Sequence, residues 1–443
     1  MSIQLSEHFN YSKLIRFTIP TIVMMIFTSI YGVVDGMFVS NFVGKTPFAA
    51  VNLIMPALMI LGTIGFMLGT GGSAIVAKTL GEGKKKLANE YFTILVVTAA
   101  VCGVVLAVVG WIFMRPLAVM LGAQGEMLEY CVTYARIIMI ALPGFMLQNV
   151  FQSFLVTAEK PHLGLYLTVI AGVTNMVLDF VFIVVFEMGI AGAAYATCIG
   201  QTIGGFVPFI YFLRKNSSAL RMTRCHFDGS VLRKACFNGS SEMMTNLSMS
   251  LVNMLYNYQL MRFIGADGVA AYGVIMYINF IFTGVFFGYS VGCAPIVGFH
   301  YGAGNQSELK NLFRKSLILM TAAGVVLTGL ALAASAGLSK IFVGYDAGLY
   351  ELTKRGFRIY TLSFLMMGIN IYGSAFFTAL NNGLVSAIIS FLRTLLFQVA
   401  AVVILPALFG IDGVWMSIVA AECLAIVVTI LFFIREKGRY HYV

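Results

Sequence analysis

Long apolar stretches, separated by short polar segments, recur along the whole chain. Each has the length of about 20 mostly apolar residues that a helix needs to cross a bilayer. A helix also satisfies its own backbone hydrogen bonds, as a span in lipid must. Twelve stretches are therefore predicted to be membrane-spanning helices, near residues 12–38, 50–77, 91–113, 129–155, 162–185, 190–213, 235–262, 269–297, 313–336, 355–379, 385–408 and 412–434.

The chain also repeats itself at an offset of 221 positions. Identical residues keep this one offset in blocks that lie far apart: Gly44/Gly265, Ala49/Ala270, Gly71/Gly292, Gly81/Gly302, Gly103/Gly324, Thr157/Thr378 and Gly189/Gly410. The repeat predicts two copies of six helices each. Because six is even, both copies have the same orientation, and we expect a pseudo-two-fold axis along the membrane normal.

The predicted fold is thus an all-α membrane protein with two six-helix lobes. The N-terminal lobe covers residues 1–213 and the C-terminal lobe residues 235–443. A polar, basic linker at residues 214–234 joins them. No low-complexity tail or soluble domain interrupts this plan.

Composition and charge agree with a membrane protein. The chain is 60% hydrophobic and only 10% charged, which is more apolar surface than a soluble core can use. The net charge of +10 is distributed unevenly: with the N-terminus inside, 19 Lys and Arg face the cytoplasm and seven face the other side. This positive-inside pattern places both termini in the cytoplasm of a multi-pass protein of the cell's inner membrane. It explains the basic balance without a nucleic-acid partner.

Signals for enzyme chemistry are absent from the sequence. The phosphate-binding pattern GxxxxGK[ST] does not occur, and GEGKKK at 81–86 has no preceding strand. The seven cysteines have no metal-ligand spacing. We expect neither catalysis nor a cofactor.

Glycine crowds the second predicted span and its partner in the repeat. Two interpretations are compatible: close packing of helices through small residues, or helices that bend or slide during transport. A kink at Pro20 is expected in the first span. The glycines concerned are Gly62, Gly65, Gly69, Gly71 and Gly72, with Gly284, Gly288 and Gly292 in the partner.

Four acidic residues stand inside apolar spans, where a carboxylate costs about 2.5–3.5 kcal/mol on insertion scales. They are Asp35, Asp179, Glu242 and Glu422. Asn175 lies one helical turn before Asp179, so the two share a face. Oxygen donors of this kind suit a hard cation such as Na⁺ or a shared proton, and a hydrogen-bonded structural pair is the alternative. Thr197 and Gln152 offer further oxygens.

Overlaying the two copies makes this polar cluster one-sided. At the offset of 221, Asp35 meets Tyr256, Asn175 meets Leu396 and Asp179 meets Ala400. An ion-coupling site is therefore predicted in the first copy only. Glu242 and Glu422 form a possible second acidic site. The alternative for Glu242 is a solvated position, and the alternative for Glu422 is a hydrogen bond between helices. Candidates for lining a substrate cavity are Asn253, Tyr256, Met276, Tyr277 and Asn370.

Several segments together resemble the multidrug and toxic compound extrusion (MATE) family, in particular its DinF-like and MepA-like prokaryotic members. They are AAVNLIMP at 49–56, GGSAIVAKTLGEGK at 71–84, LGAQGEM at 121–127, TAEKP at 157–161, NMVLD at 175–179, FIGADGVAAYGV at 263–274 and GYSVGCAPIVGFHYGAGN at 288–305. Their order, the twelve spans and the central repeat carry the resemblance along nearly the whole chain.

The resemblance implies a V of two lobes around a central cavity, opening alternately to each side. It implies an antiporter, driven by H⁺ or Na⁺, that exports amphiphilic and often cationic compounds. Carried over residue by residue, its first-lobe cation site comprises Asp35, Gln152, Asn175, Asp179 and Thr197, with Na⁺ expected at Asp35, Asn175 and Asp179. The tenth span carries Asn370 where NorM-like members have an acid.

A flippase for a lipid-linked or polysaccharide precursor is the alternative function, since related proteins share this architecture. An arginine- and lysine-lined cavity would favour it, and the candidates are Arg136, Arg262 and Arg393. The expected partners are small-molecule drugs and membrane lipids, and the expected state is a monomer.

Overall fold

The structure, a computed structural model, describes residues 3–443 apart from the side chain of Lys45. Residues 1 and 2 of the predicted first lobe, and the Lys45 side chain counted among the outer charges, lie outside the described residues. Every regular element of the described chain is helical, which confirms the all-α fold.

The first half of the chain folds into six long helices. Two of them, α1 and α5, continue without a break into π-helical turns at Val39–Val43 and Phe180–Val185. The six helices are α1 Tyr11–Phe38, α2 Lys45–Gly81, α3 Lys85–Met120, α4 Gly125–Thr157, α5 Pro161–Asp179 and α6 Gly189–Leu213.

The second half repeats this arrangement with two of its spans divided. A bend of 49° separates α10 from α11, and a third π-helical turn, Leu392–Leu396, separates α12 from α13. The helices are α7 Gly229–Phe263, α8 Ala266–Gly302, α9 Gln306–Val343, α10 Ala347–Thr361, α11 Phe364–Ala379, α12 Gly383–Phe391, α13 Phe397–Phe409 and α14 Ile411–Tyr440.

Helix ends confirm that the two halves are copies. α2 and α8 begin and end at positions 221 apart. Glycines with positive φ, a conformation that costs a residue with a Cβ, lie at corresponding starts or ends of helices. They form the pairs Gly44/Gly265, Gly83/Gly304 and Gly189/Gly410.

Ten of the helical segments are long and apolar enough to cross a membrane, and α10 with α11 forms an eleventh span if the bent pair is counted as one. The remaining segment of the predicted twelve is α7, which is too polar to qualify. Its polar side chains are turned inward: Asn238, Ser241, Thr245 and Ser248 are all buried. The chain is therefore a multi-pass membrane protein in which α7 is shielded by its neighbours.

The predicted linker is partly helical. Residues 214–228 have no regular secondary structure, whereas 229–234 form the first turns of α7. The irregular part lies against α3, where the backbone N–H groups of Arg221 and Thr223 donate to Asn89 Oδ1 at 2.9 Å and Thr93 Oγ1 at 3.0 Å. These bonds hold the connection against the first lobe.

The lobes contact each other mainly near the N-terminal face, the end of the bundle at which α1 begins. There α2 packs on α7 and α8, and glycine permits the close approach. A Cβ on Gly71 would lie 2.1 Å from the Ala235 carbonyl oxygen, and one on Gly302 2.0 Å from that of Lys78. The close-packing interpretation of the crowded glycines is thus confirmed at Gly71.

α1 makes the second contact between the lobes, along α8. A Cβ on Gly288 would lie 2.4 Å from the Ile22 Cα, and Ser29 Oγ donates to the Phe280 carbonyl at 3.1 Å. In the described chain no side-chain hydrogen bond joins the lobes beyond Ser29, towards the opposite face. The lobes are therefore closed at the N-terminal face and part towards the other.

The N-terminal segment, residues 3–10, lies across this closed face. Its Leu5 and Phe9 side chains are buried. The Leu5 N–H donates to Glu159 of the first lobe at 2.7 Å, while the Phe9 N–H and His8 Nδ1 contact the Glu308 carboxylate of the second lobe at 2.9 and 2.6 Å. The segment thus bridges the two lobes.

Candidate functional site

Asp35, Asn175 and Asp179 meet in the first lobe, towards the opposite face. Asp35 lies near the end of α1, Asp179 is the last residue of α5, and the two helices pack together. The Asp35 carboxyl group approaches both the Asp179 carboxyl group and the Asn175 carboxamide. Asp179 is fully buried and Asn175 nearly so, whereas Asp35 is partly exposed. The structure thus brings the three predicted residues into one group.

Changes of helix geometry flank both aspartates. The Val39 N–H, which opens the first π-helical turn, bonds to the carbonyls of Asp35 and Gly36. The second π-helical turn starts directly after Asp179, and the two turns contact each other. Such turns are rare and are frequent at functional sites, because the extra residue changes the direction of neighbouring side chains.

Thr197 joins the group through a close approach of α5 and α6. A Cβ on Gly200 would lie 3.0 Å from the Ala171 carbonyl oxygen, so glycine lets α6 come near α5 here. One turn away, Asn175 Nδ2 donates to Thr197 Oγ1 at 3.4 Å. Four of the five residues that the family resemblance implied therefore lie together.

Gln152, the fifth, lies apart from this group. It is buried on α4 but forms no hydrogen bond with the other four in the part of the chain that the structure describes. Gln148, one turn earlier on the same helix, instead faces Tyr31, which lies next to Asp35. Gln148 is thus an α4 carboxamide that approaches the group, through Tyr31.

Tyr134, Tyr31 and Gln148 belong to the site and were not predicted. The Tyr134 hydroxyl faces Thr197, and its ring lies near both aspartates. Aromatic residues are common in apolar spans, so the sequence has no signal that marks Tyr134 or Tyr31. For Gln148 the sequence does have a signal, because it is a carboxamide within a span and lies one helical turn before the carboxamide of Gln152.

The donor set fits a small hard cation or a proton. Several buried oxygens have no hydrogen-bond partner within the described chain: Asp35 Oδ1, Asn175 Oδ1, both carboxylate oxygens of Asp179 and Gln148 Oε1. Buried oxygens without partners are costly, and a bound cation or proton would satisfy them. Oxygen ligands are those that hard cations prefer. A cavity of about 320 Å³, lined in part by Tyr134, Thr197 and Gln201, adjoins the group.

No group of three or more His, Cys, Asp or Glu that could hold a metal occurs among the described residues. The first-lobe group contains only two acids, and its other oxygens come from amides and hydroxyls.

The second lobe has a buried polar network of a different kind. Arg393, in the third π-helical turn, donates through Nε to both carboxylate oxygens of Glu422 at 2.8 and 3.1 Å. Asn370 Nδ2 donates to the same carboxylate at 2.7 Å, and Thr429 Oγ1 donates to Asn370 Oδ1 at 3.0 Å. Glu422 and Asn370 are 0% exposed. The Glu422 charge is thus neutralised by a cation of the protein itself.

The repeat shows how the second network arose from the shared scaffold. At the offset of 221, Asn370 corresponds to Asn149 and Glu422 to Gln201, while Arg393 corresponds to a glycine. Each of the two first-lobe carboxamides has one buried atom that lacks a hydrogen-bond partner in the described chain. These atoms are Asn149 Nδ2 and Gln201 Oε1. The second lobe has an acid and a base where the first has an amide and no side chain.

A cavity of about 620 Å³ lies between the lobes, and we call it the central cavity. Glu242 lines it from α7 and Arg393 from the third π-helical turn. Hydroxyl groups line much of the rest, among them Thr245, Ser290 and Ser374. Glu242, for which the sequence left an acidic site and a solvated position open, thus lies at a cavity between the lobes.

None of the five predicted cavity residues is among the described residues that line the central cavity. Tyr256 is 2% exposed and stacks on Tyr272 with ring centroids 5.0 Å apart. Asn370 belongs to the Glu422 network. The others are Asn253 and Tyr277, which are exposed on the surface, and Met276, which is partly buried.

The fold matches solved transporter structures over nearly its full length. A MATE transporter crystallised with the ligand MaL6 superposes with a TM-score of 0.92 at 22% identity, covering 97% of each chain. A multidrug resistance MATE transporter in an outward-facing conformation also gives 0.92 at 22% identity, with 97% of this chain and 96% of the other covered. The protein therefore has the fold of a membrane transporter with two six-helix lobes.

The family model described as MatE matches residues 20–181 and again residues 243–404, one stretch in each lobe. The chain belongs to this family, which confirms the resemblance seen in the sequence. Multidrug export protein MepA of Staphylococcus haemolyticus (strain JCSC1435) is 22% identical over 431 residues, which cover 96% of this chain and 94% of that protein. The protein of the same name from Staphylococcus aureus (strain NCTC 8325) is 20% identical with the same coverage.

Proposed function

We propose that the protein is an antiporter that exports amphiphilic, often cationic compounds in exchange for H⁺ or Na⁺. The observation that supports this most directly is the Asp35–Asp179 pair, two acids side by side in which Asp35 Oδ1 and both Asp179 carboxylate oxygens lack a hydrogen-bond partner among the described residues. Two adjacent carboxyl groups repel each other when ionised, so a proton or cation between them is favoured. The relatives named as multidrug export proteins supply the expected class of substrate.

The mechanism follows from the two contacts of α1. Near its end, Asp35 belongs to the ion group, and nearer its start the same helix packs on Gly288 and Gly292 of the second lobe. Binding of an ion removes the repulsion between the aspartates and allows α1 to pack differently on α5. Pro20, buried inside α1, lets the helix bend within the stretch that packs on the second lobe. Ion binding in one lobe thereby alters the contact between the lobes.

The orientation comes from the charge distribution. With both termini in the cytoplasm, the closed N-terminal face is the inner one and the parting lobes open outward. An ion that enters from outside then reaches Asp35 first, since that residue is partly exposed and Asp179 is not. One charge moved through 100 mV supplies about 2.3 kcal/mol. We place the protein in the inner membrane as a monomer among lipids.

The test is the change Asp35→Asn, which removes the charge and preserves the shape. Purified protein in proteoliposomes should lose export of rhodamine 123 driven by an H⁺ or Na⁺ gradient, while its unfolding temperature stays close to wild type. Asp267→Asn, at an exposed position in the first turn of α8, is the matched control and should export normally. Undiminished gradient-driven export by the Asp35 variant would refute the proposal.

The flippase alternative receives no support from the central cavity, because Arg393 is the one cationic residue among the described residues that line it. Arg136 instead stacks over Trp111 at 4.7 Å and Arg262 over Phe263 at 5.9 Å. A polyanionic precursor would need several cations along its path.

A further inference from the structure

Two opposite charges line the central cavity without meeting each other. Arg393 is the charged group that faces Glu242, yet no ion pair joins the two in the described chain. The Glu242 carboxylate also makes no hydrogen bond to a described residue, since the bond at this position uses its backbone carbonyl. Both side chains line the same cavity and neither neutralises the other by a direct ion pair, so each charge is free to contact a ligand in that cavity.

Arg393 is held so that one part of its guanidinium group remains available. Its Nε donates to Glu422, which Asn370 holds in turn. Neither Nη atom donates a hydrogen bond to a described residue. Since they are also not among the buried polar atoms that lack a partner, the Nη atoms are accessible from outside the protein interior. The Nη groups thus reach the cavity that Arg393 lines. Two Nη groups form the planar fork that binds a carboxylate with two parallel hydrogen bonds.

We propose that the central cavity selects compounds with both an ammonium and a carboxylate group. Glu242 binds the ammonium end, and the Nη groups of Arg393 bind the carboxylate. Glu422 and Asn370 are positioning residues, since they fix the guanidinium from behind and do not touch the ligand. The hydroxyls of Thr245 and Ser290 complete a lining that is polar for a drug cavity. The inference rests on the proposed export function and names its substrate class.

A matched pair of dyes isolates the carboxylate half. Rhodamine 110 has a free carboxylate, and rhodamine 123 is its methyl ester, with the same ring system and a single positive charge. Binding of both to purified protein is measured by fluorescence anisotropy. Arg393→Gln should raise the ratio of the rhodamine 110 Kd to the rhodamine 123 Kd by about tenfold, because a charge-assisted pair is lost for one dye only. Glu242→Gln should weaken both dyes to a similar extent.

Two further variants keep the result interpretable. Arg393→Gln leaves Glu422 buried without its cation, so the double variant Arg393→Gln/Glu422→Gln removes both charges and should show the same change of ratio. Arg136→Gln, whose guanidinium stacks on Trp111 away from the cavity, should leave the ratio as in wild type. An unchanged ratio in both Arg393 variants overturns the proposal. Tighter rhodamine 123 binding with no change of ratio also overturns it, since Arg393 would then act as an internal partner of Glu242.

The binding assay separates this inference from the export function. The Arg393 variants can change the Kd ratio as expected while wild type exports neither dye under an ion gradient. In that case the antiport proposal fails and the ligand assignment stands. If wild type exports rhodamine 123 but the Arg393 variants keep the wild-type ratio, the ligand assignment fails alone.

Discussion

The buried ion pair of the second lobe makes the sharpest prediction about stability. In the variant Arg393→Met, Glu422 keeps the Asn370 hydrogen bond at 2.7 Å but loses both bonds to the guanidinium. The Glu422 side chain is 0% exposed, so water cannot replace the lost partner. Removing one partner of a buried pair costs about 3–5 kcal/mol. Because Asn370 remains, we expect a loss near the lower end, about 3 kcal/mol.

The double variant Arg393→Met/Glu422→Gln supplies the comparison. It removes both charges together and keeps an oxygen for Asn370, so no buried charge remains. Replacing a whole buried pair is often nearly neutral, and we expect a loss of about 1 kcal/mol. The difference between the two variants is about 2 kcal/mol. Adding to it the loss measured for Glu422→Gln alone gives the coupling energy of the pair in a double-mutant cycle.

The measurement is reversible unfolding of the purified protein in mixed micelles with increasing SDS, followed by tryptophan fluorescence. Trp415 on α14 is fully buried and close in sequence to Glu422, so its emission follows the second lobe. Trp111 on α3 reports the first lobe, and its replacement by Phe leaves a single reporter. Equal stability of Arg393→Met and wild type would refute the reasoning, because it would mean that Glu422 is not held as a buried charge.

Three further predictions concern the lobe contact, the N-terminal segment and the ion group. Gly71→Ala should lower the free energy of unfolding by about 1–3 kcal/mol, since its Cβ would come 2.1 Å from a backbone oxygen of α7. The control Gly273→Ala, with open space around it, should lower it little. Equal losses of stability in thermal unfolding would contradict the packing argument. Glu308→Gln should speed amide exchange in residues 3–10, because the carboxylate accepts from both His8 and the Phe9 N–H; exchange at wild-type rates would show that the segment is held otherwise. Tyr134→Phe should raise the ion concentration for half-maximal export about fivefold, the worth of about 1 kcal/mol for one hydroxyl near the aspartates; an unchanged value would remove Tyr134 from the site.

Much of the fold could be predicted because bilayer physics leaves a strong signal in sequence. The length of each apolar stretch locates a helix, and the 221-residue offset relates the two lobes, down to the shared bounds of α2 and α8. α7 departs from the rule in an informative way. Its buried polar residues lower its apolar character, and it remains inside the bundle because α2 and other helices cover it.

From the spacing of residues alone, the site was predictable only where residues share one helix, and the expectation that Asp35 and Thr197 join them came from the family resemblance. Asn175 and Asp179 stand one turn apart on α5, and that spacing is visible in the sequence. Which helices face each other is set by packing, so Tyr134 on α4 and the pairing of Arg393 with Glu422 left no trace in the spacing of residues. Tyr256 shows that spacing also fails in the other direction. This tyrosine in a span was expected to line a cavity, but it stacks on Tyr272 in the core.

The two lobes differ in how the charge of their buried acidic residues is balanced. In the first, Asp35 and Asp179 lie together with no cationic side chain of the described residues paired with them, which is the basis of the proposed exchangeable ion. In the second, Glu422 has Arg393 permanently attached to the chain, at a position where the first lobe has glycine. A tethered cation cannot be exchanged for one from solution, and this lobe therefore has no need of a coupling ion at Glu422. The same tether leaves the remaining guanidinium donors facing the central cavity, which makes the fixed charge available for recognition of a substrate.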